Sequence, residues 1–230
     1  RVGGSYSDAD LVTVNAGGND VFMQLNAVGA AAAGGQVAAG AAQIAGWSPS
    51  VIAEVSAGGP QAVLAASTAA VVGMGQAGAE LAGYIKTLIV AKGAKYVLVR
   101  NLGDLNVTPY GRALDPATQG LITAAVEAFN GQLQAGLAGT PGVQIYDDYA
   151  LTRAIAANPA AYGYSNAENA SCGTNAFGGP IGPTIVCNAS NLIAGDTSKY
   201  AYSDDVHPTP FAHLKTAETA LELMKSIGWQ

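Results

Sequence analysis

Short dense apolar runs alternate along this chain with longer stretches at helical spacing. Ala9 to Ala16, ADLVTVNA, is brief, rich in Val and Leu, and stopped by Gly17-Gly18. That pattern predicts a buried parallel strand. Asn19-Asp20 then opens a helical run through Val21, Phe22, Leu25 and Val28. Residues 29–60 are rich in Ala and Gly with little periodicity, and predict short helices in an insertion. From about Pro60 to Ala91 the spacing is helical, with Leu81, Tyr84, Ile85, Leu88 and Ile89 on one face and Gly93 as the stop. Tyr96 to Val99 predicts a second buried strand, and Asn101 to Arg112 a loop. Asp115 before Pro116 is a cap followed by a first-turn proline. Ile122, Val126, Phe129, Leu133 and Leu137 continue that helix. A turn at Pro141-Gly142, a strand over Val143 to Tyr146 and a short helix over Tyr149 to Ala157 follow. Residues 158–203 predict a long loop region, and Pro208 to Ile227 a last helix with Phe211, Leu214, Leu221 and Met224 inward. Strands alternating with helices argue an α/β fold with a parallel sheet, in one domain over residues 1–230.

Composition narrows the classes. Half the 230 residues are apolar and 11% are charged, a globular balance with enough chain for a sizeable core. The net charge is −6 and no Lys/Arg cluster exists, which argues against nucleic acid as a partner. Ala53 to Ala82 comes nearest to a membrane span, but Gly58, Gly59, Pro60 and Gln61 interrupt it, so no span is expected. Cys172 and Cys187 lie in a region dense in Gly, Asn, Ser and Pro. They read as a disulfide closing a loop of about 15 residues and stabilising by about 3 kcal/mol. The alternative is two buried thiols. A disulfide implies an oxidising compartment. Two cysteines and two histidines fit no zinc spacing, so no metal is expected.

Two motifs carry candidate chemistry. Gly17-Gly18-Asn19-Asp20 follows a strand, at the edge where open α/β sheets place their sites. The glycines permit close backbone approach, and Asn19 offers an amide; the same residues also suit an ordinary turn in which Asn19 caps the helix. Asp204-Asp205-Val206-His207-Pro208 precedes the last helix. Asp204, three residues before His207, is placed to orient the imidazole and stabilise its charged form. Asp205 is the rival carboxylate, and acidic residues favoured by the helix dipole are the alternative account. His213, inside the last helix, reads as a packed or surface residue.

Together these motifs resemble blocks of the GDSL, or SGNH, hydrolase family. The middle of the chain adds to the resemblance through Val97 to Tyr110 (VLVRNLGDLNVTPY), Phe129-Asn130 with Leu133, Asp147-Asp148-Tyr149, and Asn158-Pro159 with Tyr162-Gly163. The nearest resemblance is to extracellular bacterial lipases and esterases. It implies a flavodoxin-like three-layer α/β/α sandwich and a secreted serine ester hydrolase without cofactor, acting on a small ester or lipid. It implies that His207 is the general base, Asp204 the acid that orients it, and Asn19 an oxyanion donor beside the Gly17 and Gly18 backbone.

One block is missing. The family's Gly-Asp-Ser-Leu nucleophile motif does not occur here. Gly4-Ser5-Tyr6-Ser7-Asp8 only echoes it, because Ser5 follows no strand and lies too close to Asn19 for a crossover helix. Gly3 and Gly4 do not replace the family's oxyanion glycine. The serine, and the first strand or strands, are therefore expected on an N-terminal fragment or companion chain that completes the sheet. Residues 30–60 and 158–203 are expected to shape a pocket for a short or medium acyl chain. Two rivals remain: a non-catalytic binding or structural module on the same fold, and a flavin- or phosphate-binding protein, which lacks support from any phosphate-cradling loop.

Overall fold

A computed structural model describes residues 4–173 and 187–229. Gly3 and residues 174–186, part of the expected long loop, lie outside the described residues. The chain forms two compact units. One holds the residues up to Leu102 with Gly120–Ile145, and the other holds Gly103–Gln119 with the residues from Tyr146 onward.

The first unit is built on a three-stranded sheet, β1 (Leu11–Asn15), β2 (Tyr96–Arg100) and β3 (Val143–Tyr146), in the order β1-β2-β3. β1 and β2 run parallel, Leu11 opposite Tyr96 and Asn15 opposite Arg100. β2 is buried at its centre, through Val97, Leu98 and Val99. β1 is not the buried strand that its Val/Leu run predicts. Leu11 is 48% exposed, and β1, paired with β2, is a sheet edge among the described residues.

The insertion after β1 is a helical layer: α1 (Gly18–Ala31), α2 (Gly35–Ile44), α3 (Pro49–Ala57) and α4 (Gly59–Tyr84). Its core is mostly alanine, with Ala27, Ala31, Ala38, Ala42, Ala62, Ala66 and Ala70 buried around Trp47 and Val55. Side chains this small let helix backbones approach closely. Gln24 is the polar exception. Its amide donates to the Ala45 carbonyl at 3.0 Å and accepts from Trp47 Nε1 at 2.6 Å, so its burial is compensated.

Pro60 does not interrupt α4, since proline is tolerated in a first helical turn. With its continuation to Lys92, the helix is long and apolar enough to cross a membrane by length and composition alone. In this fold one side of it, Ala62, Ala66, Ala70 and Met74, is buried in the unit. A π-helical turn over Ile85–Ile89 changes the expected face of the last stretch. Ile85 is buried, while Tyr84 and Leu88 are more than half exposed.

α6 (Pro116–Leu137) follows its predicted pattern, burying Ile122, Val126, Phe129, Leu133 and Leu137. Asp115 Oδ1 accepts from the Ala117 and Thr118 amides at its start. Phe129 fixes the strand-to-helix turn after β1. Gly17 has φ 105°, and a Cβ there would lie 2.5 Å from the Phe129 ring. Asn130 clamps the chain leaving β2 by accepting from the Leu102 amide and donating to the Leu102 carbonyl, both at 2.8 Å.

The second unit contains α5 (Pro109–Arg112), α7 (Asp148–Ala157) and α8 (Pro210–Ser226). The expected loop over 101–112 contains a 3₁₀ turn at Leu105–Val107 before α5. The expected loop over 158–203 contains a two-stranded parallel sheet, β4 (Asn166–Ala170) with β5 (Tyr200–Tyr202). The sequence NAENA has little strand propensity, and backbone pairing with β5 overrides it. On α8, Leu214 and Leu221 are about half exposed rather than inward. The buried positions are Ala212 and Met224, because the contact side of α8 is narrower than its apolar stripe.

Gly17→Ala is expected to lose about 1–3 kcal/mol in chemical denaturation, through its positive φ and the Phe129 clash. Gly18, whose Cβ would meet nothing within 4 Å, is expected to accept alanine with no loss. Equal effects at the two positions would contradict this account of the turn.

Candidate functional site

β5 ends at Tyr202 and α8 begins at Pro210, and the connection between them carries Asp204 and His207. Thr209 ties down the far end. Its hydroxyl accepts from the Ala212 amide, and its own amide donates to the Ala201 carbonyl. The Ser203 amide donates to the His207 carbonyl at 2.7 Å, and the Ser203 hydroxyl to the Pro208 carbonyl at 2.8 Å. The chain is thereby folded back on itself across Asp204.

Asp204 fills that fold. It is 6% exposed, and Oδ1 accepts from the Val206 amide at 2.9 Å and the His207 amide at 2.6 Å. Oδ2 lies 2.8 Å from His207 Nδ1. A buried carboxylate needs such donors. An ionised Asp204 accepts a hydrogen bond from Nδ1–H, so the neutral imidazole carries its hydrogen there and leaves the Nε2 lone pair for a reactant. The His207 side chain is 58% exposed, so this base is accessible to a reactant. The arrangement suits proton transfer at Nε2, with the resulting imidazolium stabilised by Asp204.

Asp205 does not take this role: His207 Nδ1 meets the Asp204 carboxylate, and the Asp205 backbone carbonyl accepts from the Tyr110 amide at 2.9 Å. Burial, and then the adjacent Asp204, push its carboxyl above the usual carboxylate range. Burial likewise raises the Tyr202 hydroxyl, with a further contribution from Asp148. His213 is exposed on α8.

The Cys172–Cys187 disulfide is present, with Cα atoms 5.7 Å apart. It abuts the connection between β5 and α8. The Ser171 and Cys172 amides donate to the Tyr202 and Ser203 carbonyls, and Cys187 Sγ lies 3.7 Å from the Ser203 carbonyl oxygen. The cross-link thus secures the residue immediately before Asp204.

Asn19 and the Gly17-Gly18 pair belong to the first unit. Asn19 is exposed in the first turn of α1, and the residue at the helix cap is Gly17, without a side-chain cap bond. Asn19 therefore does not close this helix end with its side chain. Gly17 is required by its conformation and by Phe129, as described above.

One polar brace was missed from sequence. Asp104, 7% exposed, accepts from the Asn106 amide at 3.0 Å and from Arg153 Nη1 at 3.3 Å. Arg153 also lies over the Tyr149 ring, 5.4 Å from its centroid. The spacing of Tyr149 and Arg153, four apart on α7, was the available signal. The brace joins the loop after β2 to α7 and explains structurally part of the motif over 97–110. Among the described residues, no group of three or more His, Cys, Asp or Glu side chains is placed to hold a metal.

No family model matches the chain. Parts of it are similar to GDSL esterase/lipases of Arabidopsis thaliana. One is 26% identical over 129 residues, covering 53% of this chain and 34% of that relative. A second is 26% identical over 147 residues, covering 59% and 39%, and a third 30% over 92 residues, covering 40% and 24%. The chain thus spans between about a quarter and two fifths of these curated relatives. The similarity is distant and partial, and it points toward the GDSL esterase/lipases at family level. The mixed α/β architecture with a parallel sheet is compatible with a three-layer α/β/α fold.

The raised Asp205 carboxyl has a signed consequence. The folded state binds that proton more tightly than the unfolded chain, so ionisation costs stability. The cost is absent below the unfolded value of about 4, grows as pH rises through the folded value, and is fully present at neutral pH. Asp205→Asn is expected to raise the urea midpoint at pH 7 and to leave it near the parent's at pH 3. An unchanged or lower midpoint at pH 7 contradicts the assignment.

Proposed function

We propose that this chain is the histidine- and aspartate-bearing part of a secreted, bacterial-type serine ester hydrolase of the GDSL family. The observation that carries the proposal is the 2.8 Å contact between buried Asp204 and the exposed imidazole of His207. The distant similarity to GDSL esterase/lipases supports the reaction class, and the disulfide supports an oxidising compartment.

The nucleophilic serine would lie on a segment outside this sequence, an N-terminal fragment or companion chain that adds a strand to the sheet. The edge at β1, without a further strand among the described residues, supports that role, since an open strand edge invites another strand. In the reaction the serine hydroxyl attacks the ester carbonyl while His207 Nε2 takes its proton. The carbonyl oxygen becomes an oxyanion held by donors that include the Asn19 amide. Collapse expels the alcohol, protonated by His207, and leaves an acyl-serine. Water, deprotonated by His207, then releases the carboxylic acid. Asp204 holds the imidazole throughout, and no cofactor or metal is required.

The absence of a Gly-Asp-Ser-Leu motif from the chain favours one second reading, a binding or structural module on the same fold. A fluorophosphonate probe on the intact gene product separates the two. The hydrolase reading predicts one labelled serine, on the segment outside this sequence, and no labelling after His207→Ala. No labelled serine together with no ester turnover supports the inert module. In the intact protein, Asn19→Ala is expected to lower kcat about a hundredfold or more while leaving the fold intact. An unchanged kcat removes Asn19 from the site.

A further inference from the structure

The stretch that leads from Cys187 back to β5 has no core of its own. No residue from Cys187 to Tyr200 is buried, and Asn188, Ala189, Ser190 and Leu192 are exposed. Segments with so few buried apolar contacts open at little free-energy cost. Backbone bonds hold its near end to the residues around Cys172. The Gly173 amide donates to the Asn191 carbonyl at 2.8 Å, and the Ile193 amide to the Ser171 carbonyl at 3.0 Å. The remaining tie between these two strips of chain is covalent, the Cys172–Cys187 disulfide.

Both halves of that disulfide meet one residue, Ser203. The Cys172 amide donates to the Ser203 carbonyl at 3.0 Å, and Cys187 Sγ lies 3.7 Å from the same oxygen. Ser203 in turn grips the imidazole-bearing residue, its amide donating to the His207 carbonyl at 2.7 Å and its hydroxyl to the Pro208 carbonyl at 2.8 Å. One residue therefore separates the sulfur–sulfur bond from both members of the Asp204–His207 pair. Both cysteines are half-buried, which leaves the bond within reach of a small dithiol.

We infer that the Cys172–Cys187 disulfide is a redox latch on the Asp204–His207 pair. Oxidised, it holds Ser203 and keeps the Asp204 carboxylate on Nδ1. Reduced, it frees the coreless stretch beside Ser203, and the loop loses the geometry that fixes the imidazole. In the opening step a thiolate of a dithiol reductant attacks one sulfur and forms a mixed disulfide, and its second thiol then displaces that sulfur. Two electrons pass from the dithiol to the broken bond, two protons end on the Cys172 and Cys187 sulfurs, and the dithiol leaves as its own disulfide. Thiol–disulfide exchange with an oxidised disulfide reverses the step. A chain in a reducing compartment thus carries an imidazole that is not yet fixed, and oxidation completes the pair. The inference rests on the hydrolase reading only for its consequence on turnover.

The test follows the tautomer of His207 and the turnover of the intact protein together. With nitrogen-15-labelled histidine, the His207 signal is assigned by its loss in His207→Gln, and exposed His213 serves as reference. In the oxidised protein His207 is expected to carry its hydrogen on Nδ1. After dithiothreitol, with thiol release confirmed by counting, that preference is expected to disappear while circular dichroism is unchanged. The kcat toward a short-chain nitrophenyl ester is expected to fall about tenfold or more, with a smaller change in KM. Oxidised glutathione is expected to restore both readouts. Cys172→Ser combined with Cys187→Ser is expected to match the reduced parent and to ignore both reagents.

Full reduction with an unchanged His207 tautomer overturns the inference. Loss of the circular dichroism signal on reduction also overturns it, because the bond then holds the fold as a whole. A response of the double variant to dithiothreitol assigns the effect elsewhere and does the same. A tautomer change without turnover in either redox state sinks the hydrolase reading alone. Turnover indifferent to reduction sinks the latch alone.

Discussion

Removing a carboxylate from water costs several kcal/mol unless donors replace the lost hydration. At Asp204 three donors do so within three residues: the amides of Val206 and His207 and the imidazole Nδ1. That local solution dictates much of the second unit. The loop must fold back on itself, which Ser203 secures through its bonds to His207 and Pro208. Its two ends must be held, which β5 and the Thr209 cap of α8 accomplish. The disulfide braces the same place from the side. Two bonds at a single aspartate oxygen set the backbone, and the other oxygen sets the ring. Structure and proposed chemistry therefore share one buried charge.

The first unit meets a different constraint, that of building a core from alanine. Small side chains give little apolar area per residue, so the helices must lie close and their polar exceptions must be fully paired. Gln24 with Trp47 and Ala45 is such a pairing. The same economy of side-chain size leaves larger apolar residues, among them Leu64 and Val72, on the outside.

Much of this was legible in the chain. The capped helix at Asp115-Pro116, the apolar spacing of α6, the strand at 96–99 and the disulfide follow from local rules that the structure obeys. The Asp204–His207 contact was legible only as one option, because a three-residue spacing lets the carboxylate fold back onto the imidazole while Asp205 and the helix dipole offered other accounts. What was not legible depends on tertiary context. NAENA becomes a strand only through pairing with β5. β1 has the composition of a buried strand, yet its burial is decided by what covers it. Tyr84 lies off the buried face of α4, and Leu88, within the π turn at 85–89, is exposed too, although their spacing matches an inward face. The Asp104–Arg153 brace joins residues 49 apart, beyond the reach of any periodicity.

The central claim is that the carboxylate at 204, and not its neighbour at 205, supports a proton-transferring imidazole. It is tested most directly by comparing kcat/KM toward a short-chain nitrophenyl ester for Asp204→Asn and Asp205→Asn in the intact protein. The account predicts a loss of about a hundredfold or more for the first and near-parental values for the second. Comparable rates for the two variants would contradict it.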